Sequence, residues 1–138
     1  MSDRTLRSAV AAVAVAGAAV SSYLTYVHYH PAALVCTRGG GCETVQQSHY
    51  AVLLGLPIAI YGIVTWVSVV VLTVWDRPTA RVVVAAIALC ALGFAAYLVV
   101  LQLAVLHAVC WWCMSNDLVL APALALLAGY RLWRDPPA

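Results

Sequence analysis

The stretch VVVAAIALCALGFAAYLVVLQLAVL, residues 82–106, contains no charged side chain, and Gln102 is its most polar member. As a helix this stretch is about 38 Å long, which is enough to cross the hydrocarbon core of a bilayer. The rest of the chain has the same character, since 65% of its 138 residues are hydrophobic and only 9% are charged. A soluble domain carries roughly 25% charged residues. This composition excludes a soluble globular enzyme and a disordered chain, and the net charge of +2 is too small for a nucleic-acid-binding protein.

Three further apolar runs complete the predicted architecture. The four helices are expected at about residues 8–27, 51–75, 82–106 and 111–132. They predict an all-α integral membrane protein, a four-transmembrane-helix bundle built as a single domain over residues 1–138. The first run also resembles a secretory signal peptide, which leaves open whether the N-terminal helix is retained.

The arginines predict the orientation of the bundle. The chain has seven Arg and no Lys, and four spans put six of them on one side, with Arg38 alone on the other. Those six are Arg4, Arg7, Arg77, Arg81, Arg131 and Arg134. Because cytoplasmic segments are rich in positive residues, both termini are predicted to be cytoplasmic and residues 28–50 to form an outer loop. The expected location is the inner (plasma) membrane.

Four of the five cysteines fall on the predicted outer side. Cys36 and Cys42 lie in the outer loop, and Cys110 and Cys113 form a Cys-Trp-Trp-Cys motif at the start of the last helix. The outer compartment is oxidising, so these thiols can form disulfides, but four cysteines allow three pairings and the sequence does not choose among them. Cys90, in the middle of the third helix, is expected to be a small buried hydrophobic residue.

Three interpretations of the outer cysteines compete. The first is a pair of structural disulfides. The second is thiol–disulfide exchange, favoured by the flexible Gly39-Gly40-Gly41 run in the loop and by the helix N-terminus, whose free amides stabilise a thiolate at the Cys110–Cys113 motif. The third is a non-enzymatic metal-binding or transport protein that also uses histidines: His28, His30, His49 and His107. The spacing of these histidines from the cysteines does not fit a zinc site, so no metal is predicted.

The exchange interpretation predicts an electron relay to a quinone. The loop pair can reach a soluble partner, and the pair at the helix end can reach a molecule dissolved in the lipid. Since the sequence has no haem or flavin motif, a lipid-soluble quinone is the best candidate for the electron acceptor.

Several motifs resemble the vitamin K epoxide reductase family over nearly the whole chain. They are Cys36-x5-Cys42, Thr44-Val45, Ser48-x-Tyr50, Gly55-x-Pro57-x-Ala59, Gly62 and Cys110-Trp111-Trp112-Cys113. Bacterial members of this family oxidise thioredoxin-like proteins outside the membrane and pass the electrons to a quinone, whereas animal members reduce vitamin K epoxide. The resemblance implies a membrane thiol–disulfide oxidoreductase that supports disulfide bond formation. A quinone or vitamin K epoxide reductase in the narrower sense is the alternative.

The resemblance also implies a role for each cysteine. Cys113 would attack the quinone or form an adduct with it, and Cys110 would pair with Cys113 and receive electrons from Cys42. Cys36 would form the mixed disulfide with the partner. Because the chain stops at Ala138, the partner is expected to be a separate extracytoplasmic thioredoxin-like protein. The absence of Lys and the abundance of Ala, Val and Arg are typical of a high-GC prokaryote. A prokaryotic origin favours menaquinone or ubiquinone over vitamin K epoxide as the acceptor.

Asp117, Tyr50 and Trp112 are the predicted quinone contacts. Asp117 lies one helical turn after Cys113, and an acid inside a membrane is a functional candidate by default. We expect Asp117 to deliver a proton to the reduced quinone, with helix capping as the alternative. The aromatic residues would otherwise belong to an interfacial belt. Vertebrate members of the family have Tyr where this chain has Asp117 and Ser where it has Glu43, so these contacts depart from the vertebrate pattern.

Two structural expectations concern glycine and proline. Gly55, Gly62 and Gly93 are predicted to allow close helix approach. Pro122 is predicted to disturb the last helix just below the cysteine motif.

Overall fold

A computed structural model describes residues 1–36 and 41–137. Two predictions concern residues outside this range. They are the outer position of Arg38 and the loop flexibility attributed to Gly39-Gly40. In the described part of the chain, four helices are long and apolar enough to cross a membrane: Asp3–Tyr29, Ile58–Trp75, Pro78–Val105 and Trp111–Arg134. The prediction of an all-α membrane bundle is confirmed.

The elements follow one another in a simple order. Helix α1 is Asp3–Tyr29, and the segment after it contains a 3₁₀ turn (Pro31–Ala33), the short helix α2 (Cys42–Gln46) and a second 3₁₀ turn (His49–Ala51). Strands β1 (Val52–Leu53) and β2 (Leu56–Pro57) then lead into α3 (Ile58–Trp75). Helix α4 (Pro78–Val100) continues as a π-helical turn, Leu101–Val105. The last span consists of α5 (Trp111–Ser115), a π-helical turn (Asn116–Leu120) and α6 (Ala121–Arg134).

The second spanning helix begins at Ile58 and not at Ala51, where the apolar pattern predicted its start. Strands β1 and β2 pair antiparallel as a two-residue hairpin, and its turn residues Leu54 and Gly55 have φ angles of 54° and 81°. Positive φ at both central residues is the geometry of a tight hairpin turn, which cannot continue into a helix. The segment between α1 and α3 therefore extends to Pro57, which is the N-cap of α3.

The bundle core lies between α1, α3, α4 and α6. Its buried members include Val10, Trp66, Val69, Ala88 and Leu124. Small residues allow this contact, because a Cβ at Gly17 would overlap the Trp66 ring and one at Gly62 would lie 2.7 Å from the Ser21 hydroxyl. The close approach predicted at Gly62 is thus confirmed. The same prediction was wrong for Gly55 and Gly93, where a Cβ would meet nothing within 4 Å.

A cluster of ion pairs joins the spanning helices at the end of the bundle opposite the cysteines. Arg131, whose side chain is 6% exposed, donates to Asp3 at 2.8 and 3.1 Å and to Asp76 at 2.6 Å. Asp76 also accepts from Arg81 at 3.2 Å, and Arg7 donates to the Thr73 carbonyl at 3.0 Å. Burial opposes ionisation of Asp76, but the hydrogen bonds from Arg131 and Arg81 outweigh it and lower the pKa of Asp76. We call this end of the bundle the arginine end.

Candidate redox site

The four cysteines at this end of the bundle form one disulfide and one dithiol. Cys36 and Cys42 are bonded to each other, which is one of the three pairings that the sequence left open. Cys42 is fully buried, whereas Cys36 is only partly covered. Cys110 and Cys113 are free thiols, and the Cys113 thiol donates a hydrogen bond to the Cys110 sulfur at 2.8 Å.

Cys110 caps the helix that carries the motif. Its sulfur accepts the backbone N–H of Cys113 at 3.4 Å, and its backbone carbonyl accepts the N–H of Met114 at 2.8 Å. The hydrogen bond from the Cys113 thiol is the largest of the effects that lower the pKa of Cys110 to about 7, against the opposing effect of burial. The pKa of Cys110 is therefore lowered, as is common for a cysteine at a helix N-terminus.

Helix α2 lies over the cysteine motif. Cys42, its first residue, shares a buried cluster with Cys110 and Leu24, and Cys36 and Cys113 pack against that cluster. Gln46, its last residue, is 7% exposed, and its amide donates to the Cys113 sulfur at 3.6 Å. Cys36, Cys42, Cys110 and Cys113 therefore lie close together.

Gln46 and Gln102 are site residues that sequence reasoning missed. Gln102, 3% exposed, accepts the backbone N–H of Cys110 at 2.8 Å through its side-chain carbonyl. Gln102 was noted only as the most polar residue of its span, and that polarity was the available signal, because a buried amide in a membrane helix needs partners. For Gln46 the signal was its position four residues after Cys42, on the same helical face.

An apolar cavity of about 650 Å³ opens beside the motif. Cys113, Asp117 and Tyr50 line it, together with residues of α3 and α4. Its wall follows α4 and the π-helical turn after it from Val82 to Gln102, a length of about 30 Å at the helical rise. The volume lies within the range of sites for small organic ligands.

Asp117 lies in the π-helical turn of the last span and is 4% exposed. Its Oδ1 accepts a hydrogen bond from the side-chain Nδ2 of Asn116 at 3.3 Å, and the side-chain Oδ1 of Asn116 accepts the Trp66 indole N–H at 3.1 Å. Its Oδ2 is buried without a hydrogen-bond partner in the described structure. The capping alternative is wrong, because Cys110 caps the helix and Asp117 lies inside it.

The π-helical turn Asn116–Leu120 ends two residues before Pro122. The sequence predicted a disturbance of the helix here, because proline provides no N–H for regular helical bonding.

Trp112 and Cys90 differ from their predictions. Trp112 is not among the residues that line the cavity. Its ring packs on Tyr23 with centroids 4.8 Å apart, and its N–H donates to the Val35 carbonyl at 2.8 Å, so the predicted quinone contact has no support. Cys90 is exposed, not buried, because its face of α4 lines the cavity.

Among residues 1–36 and 41–137, no group of three or more His, Cys, Asp or Glu side chains is placed to hold a metal ion.

The fold and the site define a class of protein, a membrane bundle with a disulfide and a dithiol stacked at one end. Residues 8–128 match the sequence model of the vitamin K epoxide reductase family. The chain belongs to this family, which confirms the resemblance seen in its motifs. Family membership makes it a multi-pass membrane oxidoreductase of thiols and disulfides.

Proposed function

We propose that the protein oxidises a thioredoxin-like partner outside the membrane and passes the electrons through Cys36/Cys42 and Cys110/Cys113 to a membrane quinone. The observation that carries this proposal is the stacking of the two pairs. Cys42 lies with Cys110 in one buried cluster, and Cys113 opens onto the apolar cavity. This arrangement supports exchange between Cys42 and Cys110 and access of a cavity-bound molecule to Cys113.

The first half of the reaction transfers two electrons from the partner to the motif. A partner thiolate attacks Cys36, which releases Cys42 as a thiolate, and the second partner thiol then releases Cys36 and leaves the partner as a disulfide. Cys42 attacks Cys110 of an oxidised motif, which releases the Cys113 thiolate. Cys36 then attacks Cys42, restores the loop disulfide and frees Cys110. The motif is now a dithiol, as it is in this structure.

The second half passes the same two electrons to the quinone. Cys110 and Cys113 become a disulfide again, and the quinone takes up two electrons and two protons to become the quinol. The residues around the cavity fit this substrate, because the wall is mostly apolar and the unpaired Asp117 Oδ2 is available for a proton. The long wall along α4 suits the apolar tail of menaquinone or ubiquinone. Tyr50 remains a predicted ring contact.

Asp117 is the proposed proton donor to the reduced quinone. The Asn116 side chain donates a hydrogen bond to one carboxyl oxygen of Asp117, and the Trp66 indole donates one to Asn116. These two bonds fix the orientation of the carboxyl group and therefore the position of its second oxygen. General acid catalysis by a positioned carboxyl group contributes roughly 100-fold or more to a rate.

The predicted topology places this site on the extracytoplasmic face of the inner membrane. The arginine end, with Arg7, Arg81 and Arg131, lies opposite the cysteines, and the enrichment of arginine in cytoplasmic segments supports the orientation.

Quinone reduction by the purified protein tests the proposal. The protein in detergent is given dithiothreitol and decyl-ubiquinone, and the loss of quinone absorbance is followed. We expect turnover by the native protein and none by Cys113→Ala. Absence of turnover in the native protein, or full turnover in Cys113→Ala, would overturn the proposal.

Asp117→Asn tests proton delivery in the same assay. We expect a loss of roughly 100-fold in kcat, while Asp135→Asn, which removes an exposed carboxylate at the arginine end, should turn over normally. Near-normal quinone reduction by Asp117→Asn would remove the proton-delivery role.

A further inference from the structure

The outer disulfide is held on the motif by hydrogen bonds at both ends of its loop. On one side, the Gly41 N–H donates to the Val109 carbonyl at 2.9 Å. On the other, the Trp112 N–H donates to the Val35 carbonyl at 2.8 Å. Gly41 and Val35 immediately flank the bonded cysteines, and Val109 and Trp112 bracket Cys110. The loop pair is therefore docked by the residues that neighbour its exchange partner.

Val35 is held from two sides by aromatic residues. Its carbonyl accepts from Trp112, and its N–H donates to the Tyr23 hydroxyl at 2.8 Å. The Tyr23 hydroxyl also donates to the Ala33 carbonyl at 3.4 Å, and the Tyr23 and Trp112 rings are packed together. Both polar backbone groups of Val35 are thus occupied, although its side chain is 67% exposed.

We propose that Trp112 and Tyr23 are positioning residues that clamp the Val35 backbone and thereby seat the Cys36–Cys42 pair on Cys110. The inference rests on the proposed function and assigns Trp112 a part in electron transfer within the protein. Two thiols held in one geometry react as if at a high local concentration, so a clamp beside one of them speeds their exchange. The clamp requires the indole N–H of Trp112, since a phenyl ring would keep the packing on Tyr23 but donate nothing.

The test measures the effective concentration of the two exchanging thiols without a quinone. In a Cys36→Ser, Cys113→Ser background, Cys42 and Cys110 equilibrate with a glutathione redox buffer. One oxidised glutathione gives one Cys42–Cys110 disulfide and two reduced glutathiones. The disulfide fraction is read by mass spectrometry of non-reduced peptides.

The matched pair of variants is Trp112→Phe and Trp111→Phe in that background. Trp111 is the neighbouring tryptophan of the motif, 56% exposed. We expect Trp112→Phe to lower the effective concentration about fivefold, which is the effect expected from losing one neutral hydrogen bond. We expect Trp111→Phe to leave the effective concentration unchanged. Equal values for the two variants would overturn the clamp.

Two further outcomes are decisive. If Trp112→Phe does not fold, Tyr23→Phe removes the acceptor of the Val35 N–H while keeping the ring. A drop of similar size then supports the clamp, and no drop overturns it. If no Cys42–Cys110 disulfide forms with both aromatic residues intact, the proposed relay fails together with the clamp, whereas equal formation in all variants removes the clamp alone.

Discussion

Replacing Gln102 with leucine tests how the protein holds Cys110 in place. The side-chain carbonyl of Gln102 accepts the Cys110 N–H at 2.8 Å, and both residues are buried, so water does not replace the lost acceptor. Leaving a buried N–H unpaired costs about 1–3 kcal/mol. The backbone carbonyl of Gln102 still accepts the Ala108 N–H at 3.1 Å, which confines the loss to one bond.

The assay is thermal unfolding of the purified protein in detergent. A loss of this size lowers the unfolding midpoint by roughly 4–12 °C for a chain of this length. Gln47→Leu is the matched control, because it makes the same substitution at an exposed position. If the two variants unfold at the same temperature, the bond to Cys110 contributes nothing and the reasoning is refuted.

Three further predictions concern acidity and packing. In the reduced protein, the ultraviolet thiolate absorbance that is lost in Cys110→Ser should rise with a midpoint near pH 7, because the hydrogen bond from the Cys113 thiol lowers the pKa of Cys110 to about 7; a midpoint above pH 8.5 contradicts this. The lowered pKa of Asp76 supplies stability that is complete above about pH 4, the ordinary carboxyl value, and is lost as the pH falls through the lower folded value. Arg131→Met should therefore flatten the acid side of the stability curve measured by thermal unfolding, and an unchanged curve argues against the ion pairs. Gly17→Ala should destabilise by about 1–3 kcal/mol through overpacking against the Trp66 ring, whereas Gly93→Ala, which meets nothing within 4 Å, should not; equal unfolding midpoints would refute this.

The spans and the motif at the helix start were predictable from the sequence because each depends on local chemistry. An uncharged run of bilayer length has few alternatives to a membrane helix. The boundary of α3 was predicted seven residues early, because residues 51–57 are apolar enough to continue the helix and only the turn at Leu54-Gly55 interrupts it. A hydropathy profile reports the polarity of side chains and therefore does not detect a turn in the backbone.

The contacts across the site were not predictable, because they depend on how the helices pack. Trp112 and Cys113 are neighbours in sequence, yet Cys113 lines the cavity while the Trp112 ring lies against α1. Cys90 looked like a core residue because its span is apolar on every side, which leaves no amphipathic pattern to separate the cavity face from the buried face. Gln46 and Gln102 needed the three-dimensional arrangement to connect them with the two thiols.

The side walls of the cavity determine how its substrate has to be supplied. Val82, Val83 and Phe94 line the cavity and are 39–42% exposed, so this wall is open, and in a membrane the proposed quinone would enter through it from the lipid. For a molecule that reaches Cys113 by this route, the effective concentration is its amount per lipid molecule and not its amount per litre of water. Its Michaelis constant is then a mole fraction in the membrane or micelle. Adding detergent at constant total quinone should slow the reaction by surface dilution alone.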